Sequence, residues 1–336
     1  MVINKFGNSG VFELVEMERP QPKPHEVLIK VEASSVNPVD YKIRDGRGAF
    51  LCPTFPAILH PDCAGTIVEI GDDATNFEIG DRVYAFASGI AGKPGALAEY
   101  MVADARMIAK IPNNLSFIEA AALPLVSVTS WYAMIDVAQV QRSVSISCRW
   151  DGGVGHIALQ LAKIQGAVVA VTVSSSQKAE IAKNLGADII INYNEIPLSQ
   201  WMETAPDEAG YDVVFNTPGA PSINGAVAAA KFGGTIVDIL GDFPTKPGFQ
   251  GKWLTFKSLF AGHEIVAGTN PSYVGKILTE IAKVIEVGQL KPVIDQNRFK
   301  FSEVGLAHDY AETKSPTGKV VLVQDLSVSS KFSEGI

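Results

Sequence analysis

The chain has 336 residues, of which 47% are hydrophobic and 19% charged, the length and make-up of about two folded domains rather than a disordered segment. A net charge of −8 and a pI near 5.2, with no cluster of basic residues, exclude a surface built for nucleic acid or anionic membrane. Its three cysteines, Cys52, Cys63 and Cys148, contain no C-x-x-C pair. That excludes a four-cysteine zinc site and a disulfide framework and fits a reducing compartment, the cytoplasm by default. No apolar run reaches the roughly 18 residues of a membrane span.

Through Lys110 the chain reads as short β segments cut by Gly and Pro, at Val27–Ala33, Cys63–Ile70, Arg82–Phe86 and Leu97–Val102. Turns at Asp45-Gly46, Gly71-Asp72-Asp73 and Gly80-Asp81 punctuate them, the texture of a small partly open barrel. At Ser116 the texture changes. Ser116 and Glu119 form a capping box ahead of a helix over Ala120–Leu125. Apolar strand runs are then predicted at Val168–Val173, Asp188–Asn192, Asp212–Asn216, Thr235–Leu240 and Glu264–Ala267. Helices over Ile157–Ile164, Gln177–Leu185, Ile223–Lys231 and Tyr273–Val287 separate them. Strands apolar on both faces, alternating with helices, indicate a doubly wound parallel sheet in an α/β fold. From Lys291 to Gly318-Lys319-Val320-Val321-Leu322-Val323 short strands return, which reads as the chain completing its first domain. The expected division is 1–120, 121–267 and 268–336.

Residues 144–178 carry the chemistry: a strand, Gly152-Gly153-Val154-Gly155, a helix, and a second strand ending in Ser174-Ser175-Ser176-Gln177-Lys178. Glycines let backbone approach a pyrophosphate, and the helix N-terminus turns free N–H groups toward it. The pattern G-x-G-x-x-G would place glycine at 150, where this chain has Trp150 followed by Asp151. Three accounts stay open: the change is tolerated, it weakens binding by about tenfold to a hundredfold, or it records a compensated pair of frame errors over 145–151. A one-base shift of suitable codons there reads His-Ala-Gly-Gly. The second strand ends without the Asp or Glu that holds a ribose 2′-hydroxyl. Ser174, Ser175, Lys178 and Tyr193 offer hydroxyls and an ammonium instead, suited to the 2′-phosphate of NADPH. The plain alternative is a solvated first-turn lysine and a strand-end aromatic.

Taken in order, several runs carry a family resemblance: Ser35-Val36-Asn37-Pro38-Val39-Asp40 with Arg44 and Gly46, Asp62-Cys63-Ala64-Gly65, Gly80-Asp81-Arg82-Val83 and Gly95-Ala96-Leu97-Ala98-Glu99-Tyr100. Ala120-Ala121-Ala122-Leu123-Pro124 with Thr129, Gly152-Gly153-Val154-Gly155-His156 and Asn184-Leu185-Gly186-Ala187-Asp188 continue it. Over nearly its full length the chain resembles the medium-chain dehydrogenase/reductase superfamily, in its zinc-independent, zeta-crystallin-like quinone oxidoreductase branch. The resemblance implies a GroES-like partly open β-barrel interrupted by a Rossmann domain, with the cofactor between them. It sets Asn37, Pro61 and Leu125 where zinc-dependent relatives carry metal ligands. Pro61 and Leu125 have no donor atom, so no metal is expected. His60, beside Pro61, reads as a polar turn residue. Lys178 and Tyr193 match the residues that grip the 2′-phosphate in NADPH-using members.

Without metal or paired carboxylates, the remaining chemistry is hydride transfer from NADPH to a quinone or an α,β-unsaturated carbonyl, with the protein supplying position and polarisation. Asn37 is the candidate donor near the nicotinamide or the substrate oxygen. Tyr41 is a candidate proton donor or a wall residue, and Asp40 orients Arg44 or the loop backbone. Thr129 touches the nicotinamide amide by resemblance, or else bonds back one helical turn. Asn216, Thr217 and Gly241 end strands and should line the cofactor groove. His156 contacts the cofactor or packs on the domain boundary, while Glu99 and Tyr100 read as structural. Loops near 41–58 and 243–256 set the substrate. The expected assembly is a homodimer. Rival readings are an enoyl-thioester or 2-alkenal reductase, and a non-catalytic scaffold with a disabled turn.

Overall fold

The computed structural model describes residues 1–141, 145–149, 152–240, 251–313 and 316–326, with backbone alone at 145–149 and 220. The first part opens with a short antiparallel pair, β1 (Val2–Ile3) and β2 (Phe12–Glu13). It continues with β3 (Glu26–Ser35), β4 (Asp62–Ile70), β5 (Arg82–Phe86), β6 (Tyr100–Asp104) and β7 (Ile108–Lys110). Helices α1 (Pro38–Arg44), α2 (Phe117–Ala121) and α3 (Pro124–Trp131) belong to the same stretch. The second part alternates β8 (Ser145–Arg149), α4 (Gly153–Ile164), β9 (Val168–Val173), α5 (Ser176–Asn184), β10 (Ile189–Asn192) and β11 (Tyr211–Asn216). It ends with α6 (Ile223–Ala229), β12 (Ala230–Asp238), β13 (Thr255–Ser258) and α7 (His263–Ala267). Then come α8 (Pro271–Glu286), β14 (Ile294–Lys300), α9 (Val304–Glu312) and β15 (Lys319–Val323).

Strands β8 to β13 form a six-stranded sheet ordered β10-β9-β8-β11-β12-β13, every pairing parallel. This is the doubly wound order, in which ligands sit beyond the carboxyl ends of the strands where the order reverses, here between β8 and β11. The other sheet has seven strands, ordered β14-β15-β3-β4-β5-β7, with β6 also on β3. The C-terminal strand β15 is therefore a neighbour of β3, and the tail does return to the first sheet as its strand texture implies. Helix α8 belongs there too: a Cβ on Gly275 would lie 2.4 Å from the Arg106 carbonyl oxygen, so only glycine admits that contact. Both faces of the parallel sheet carry their own buried cluster, one around Val169, Val171 and Phe215, the other around Ile191, Tyr211 and Val214.

Several expectations need correcting. Glu264–Ala267 is helix α7, not a strand: Gly268 closes it at φ +62°, and the buried Glu264 carboxylate accepts from Thr269 Oγ1 at 3.0 Å. The sixth parallel strand is instead Thr255–Ser258, an edge strand too exposed to need an apolar run. Leu97–Val102 begins later, at Tyr100, because Gly95 and Ala96 donate their N–H groups to the Ile58 and His60 carbonyls. The helix over Ala120–Leu125 breaks at Ala122-Leu123, and Pro124 starts a second one, as a ring with no N–H does best at a first helical position. The Ser116–Glu119 capping box forms, with Glu119 Oε2 accepting from Ser116 N–H at 2.8 Å. Helices α1 and α9 are not among the elements expected from the sequence.

Candidate active site

Sheet register gathers a buried polar cluster at the carboxyl end of β3. Val321 pairs with Ser35 and Leu322 with Ser34 across one antiparallel edge, and Ser34 pairs with Cys63 across the other. Two residues further along the first edge Lys319 comes opposite Asn37, and one residue further along the second Asp62 comes opposite Ser35. Pro38 starts α1 immediately after Asn37, so the Asn37 side chain stays in the gap between strand and helix. Lys319 Nζ donates to Asn37 Oδ1 at 2.6 Å, to Val36 O at 3.0 Å and to Asp62 Oδ2 at 3.3 Å. Asp62 Oδ2 also accepts from Asn37 Nδ2 and Ser35 Oγ, both at 2.7 Å, and Oδ1 accepts from Leu125 N–H at 2.7 Å. Every member side chain is buried, so unpaired charge would be very costly there, and the network instead saturates its carboxylate. Burial lowers the Lys319 ammonium from its ordinary value, opposed by Asp62 and then Asp40.

Asp40 sits in the first turn of α1, where its Oδ2 accepts from Asn37 N–H at 2.7 Å. It therefore orients the loop backbone and not Arg44, whose guanidinium donates to Glu312 Oε1 at 2.6 Å and Gly7 O at 3.3 Å. Burial pushes the Asp40 carboxyl well up, the Asn37 N–H opposes, and the like charge of Asp62 adds to the rise. Its Oδ1 has no partner among the described residues. Tyr41 is half-buried on the same helix, with its hydroxyl raised first by burial and next by the Glu312 charge.

Helix α4 starts at Gly153, after an extended Gly152 that has open space where a Cβ would be. A Cβ on Gly153 would lie 2.5 Å from Lys319 Cδ and 2.8 Å from Val126 Cγ1, so glycine is needed for the lysine stem to cross the turn. The glycine turn and the Asn37 cluster are thus in contact through one side chain. His156, in the first turn of α4, is fully buried and accepts from Val293 N–H at 3.0 Å. Gln160 Nε2 donates to Lys291 O and Gln160 Oε1 accepts from Lys291 N–H, both at 2.9 Å. His156 therefore packs on the boundary with the returning tail, and burial lowers its imidazole to about 4. Trp150, Asp151 and Gly241 lie outside the described residues, as do 243–250 of the second loop.

Beyond the strand ends, Ser175 caps α5 by accepting from Lys178 N–H at 3.3 Å, and Asn194 Nδ2 donates to the Ser174 carbonyl at 2.9 Å. Lys178 is only 9% exposed. No hydrogen bond or ion pair to its ammonium occurs among the described residues. A groove of about 440 Å³ follows, lined by Tyr193, Leu198, Trp201, Asn216, Pro218 and Ser222. Asn216 Nδ2 is bonded to Asp238 Oδ2 at 2.6 Å and Gly219 O at 3.1 Å, so its amide shapes the groove wall. Thr217 is half-buried next to it. Thr129 is buried and donates to Leu125 O, one turn back, at 2.8 Å.

His60, expected as a polar turn residue, does more than turn the chain. It is fully buried at φ +72°, its Nε2 lies 2.9 Å from His308 Nε2, and its Nδ1 lies 3.2 Å from Ser34 Oγ. The two rings stack at 13° and 5.2 Å. Burial first, and then each ring's charged neighbours, push His60 well down and His308 to about 3. No group of three or more His, Cys, Asp or Glu arranged to hold a metal occurs among the described residues.

The alcohol dehydrogenase GroES-like domain family matches residues 23–113, and the family described as zinc-binding dehydrogenase matches 153–260. An NADPH-dependent alkenal/one oxidoreductase of Arabidopsis thaliana chloroplasts is 34% identical over 94% of this chain and 78% of its own length. The chain belongs to the medium-chain dehydrogenase/reductase superfamily. Within that superfamily, a 2-methylene-furan-3-one reductase of Solanum lycopersicum is also 34% identical, over 94% of this chain and 77% of its own. The solved structure of an alcohol dehydrogenase superfamily protein from Novosphingobium aromaticivorans superposes with a TM-score of 0.90 at 32% identity, covering 96% of this chain and 99% of that one. Against that background Lys319 and Asp62 are the site residues that motif reading missed. The signal was present: a charge at the first position of each of two apolar strands, Asp62-Cys63-Ala64-Gly65 and Lys319-Val320-Val321-Leu322.

Proposed function

We propose that this dehydrogenase/reductase transfers hydride from NADPH to a quinone or an α,β-unsaturated carbonyl, without zinc. The observation that carries the reading is the contact between the two halves of the site: Gly153, at the pyrophosphate-facing helix end, lies against the lysine that holds Asn37. When bound, NADPH supplies the hydride. Its fit rests on the open space over Gly152, the groove at the strand ends, and the Lys178 ammonium, which has no partner among the described residues.

In this reading Gly152, Gly153, Val154 and Gly155 present backbone N–H groups to the pyrophosphate. Lys178, Ser174, Ser175 and Tyr193 take the 2′-phosphate, while Thr129, Asn216 and Thr217 line the path between the phosphates and the reacting end. Asn37 donates to the substrate oxygen, where negative charge collects as hydride adds to the conjugated carbon. Tyr41 is the candidate proton donor. Zinc independence is supported by the donor set: Pro61 and Leu125 offer no side-chain ligand, and the Asn37 and Asp62 oxygens are already committed to Lys319, Ser35 and the Leu125 N–H.

The test is turnover with 1,4-benzoquinone and methyl vinyl ketone, using NADPH and NADH in parallel and metal-chelating buffer. Oxidation of NADPH in preference to NADH, unaffected by chelator, is the expected result. No turnover of either acceptor, or loss of activity on chelation, would overturn it.

We further propose a cytoplasmic homodimer. Phe232 and Trp253 are 58% and 76% exposed with ring centroids 4.8 Å apart, close to the exposed edge strand β13, and Cys52 and Cys63 are free thiols. Sedimentation of the wild type and of Trp253→Glu tests it: a dimer that becomes monomeric is expected.

A further inference from the structure

We infer that Lys319 is a positioning residue for the hydride transfer: its ammonium holds Asn37 by the carbonyl oxygen and commits the amide to act as a donor. The inference rests on the function proposed above and names a residue that the reaction alone does not identify.

The neighbours of the Asn37 amide tell its two ends apart. An ammonium has three donors and no acceptor, so the atom 2.6 Å from Lys319 Nζ is Oδ1. Asp62 accepts from Ser35 and from Leu125 N–H, so the Asn37 atom 2.7 Å from its Oδ2 is Nδ2. One N–H of Nδ2 goes to Asp62, and the other makes no hydrogen bond among the described residues. The ammonium withdraws density through Oδ1 and makes that remaining N–H a stronger donor, as hydrogen bonds in a chain polarise one another. The lysine cannot drift: Val36 O and Asp62 take its other protons, and its stem is wedged against Gly153 and Val126. One residue therefore spans the substrate amide and the dinucleotide turn, drawn from the C-terminal strand β15. It also places a fixed positive charge among positions 37, 62 and 125, next to where zinc-dependent relatives carry metal ligands.

The test is a double-mutant cycle of Lys319→Met and Asn37→Ala, with Lys319→Arg as the conservative variant. Three quantities are measured: the melting midpoint of the cofactor-free protein, the Kd for NADPH from nicotinamide fluorescence, and kcat and KM for methyl vinyl ketone. Expected for Lys319→Met is a kcat loss of about a hundredfold, a Kd for NADPH changed by less than about threefold, and partial recovery of kcat in Lys319→Arg. In the Asn37→Ala background the same substitution should change kcat by no more than a small fraction of its effect in the wild type, while the melting midpoint still falls because the Asp62 carboxylate loses its cation in both backgrounds. Equal losses of kcat in both backgrounds would overturn the inference, since Lys319 would then act on turnover without Asn37. Should the Met variant fail to fold, the Arg variant carries the cycle. Coupled melting midpoints in a wild type that turns over no acceptor would sink the proposed function and leave the Lys319–Asn37 link standing.

Discussion

Two lysines of this molecule are almost equally hidden, Lys319 at 3% exposure and Lys178 at 9%, yet they are opposites. The Lys319 ammonium has three protein acceptors within 3.3 Å. For the Lys178 ammonium none occurs among the described residues. Sequestering a cation is costly unless an anion or several oxygens compensate. In Lys319 the protein supplies that compensation itself, and the charge becomes part of the frame. In Lys178 only the stem is tucked away: its ammonium is not among the buried atoms without a partner, so solvent compensates it. Burial of the whole residue therefore does not separate a charge built into the frame from one that solvent still reaches. The state of its partners does.

The largest expected effect comes from removing the carboxylate that saturates Lys319. Asp62→Ala leaves an uncompensated buried ammonium and should cost about 3–5 kcal/mol of stability by urea unfolding at neutral pH. A loss below about 1 kcal/mol would mean the cluster is wet, and the contrast with Lys178 would vanish. Next, Lys178→Ala should leave urea stability near that of the wild type. It should weaken NADPH by about tenfold to a hundredfold, the value of one charge-assisted hydrogen bond, with NADH unaffected. Equal losses for both nucleotides would place Lys178 away from the 2′-phosphate. Gly153→Ala drives a methyl to 2.5 Å from Lys319 Cδ. It should destabilise by about 1–3 kcal/mol, and an accompanying rise in the NADPH Kd would sharpen the link between turn and cluster.

The smallest effect per step belongs to the histidine pair beside the cluster, which handles burial by staying neutral. His308 titrates at about 3 in the fold against 6.5 when free, so the unfolded chain binds the extra proton between those values. Its contribution is intact above 6.5 and drains as pH falls toward about 3. His308→Gln keeps a hydrogen-bonding side chain without that titration. The wild type should lose stability relative to it by about 1.4 kcal/mol per pH unit between roughly pH 6 and pH 4, read from urea midpoints. A constant difference would show that the pair is already solvated.

Much of the parallel sheet was legible because its strands are buried on both faces and announce themselves as apolar runs. Val168–Val173 agrees at both ends with the observed strand. The edge strand Thr255–Ser258 has no such demand on its composition and was invisible, while the apolar Glu264–Ala267 was mistaken for it. Asn37 and Asp40 stand in one short run of sequence, and they meet as the N-cap and third residue of α1. Their partners Asp62 and Lys319 stand far away in sequence and meet them only through strand pairing.

Local sequence by itself determined the alternation of strand and helix, the glycine-led helix start, the missing acid after β9 and the absence of donors at 61 and 125. Each of these is a property of a few consecutive residues, set by backbone conformation and side-chain chemistry. Tertiary structure alone decided that Lys319 lies opposite Asn37, that Asp62 sits between them, and that His60 faces His308. Those contacts depend on the register of β15 and β4 against β3 and on the packing of α9, and a shift of one residue would turn each side chain to the other face of the sheet.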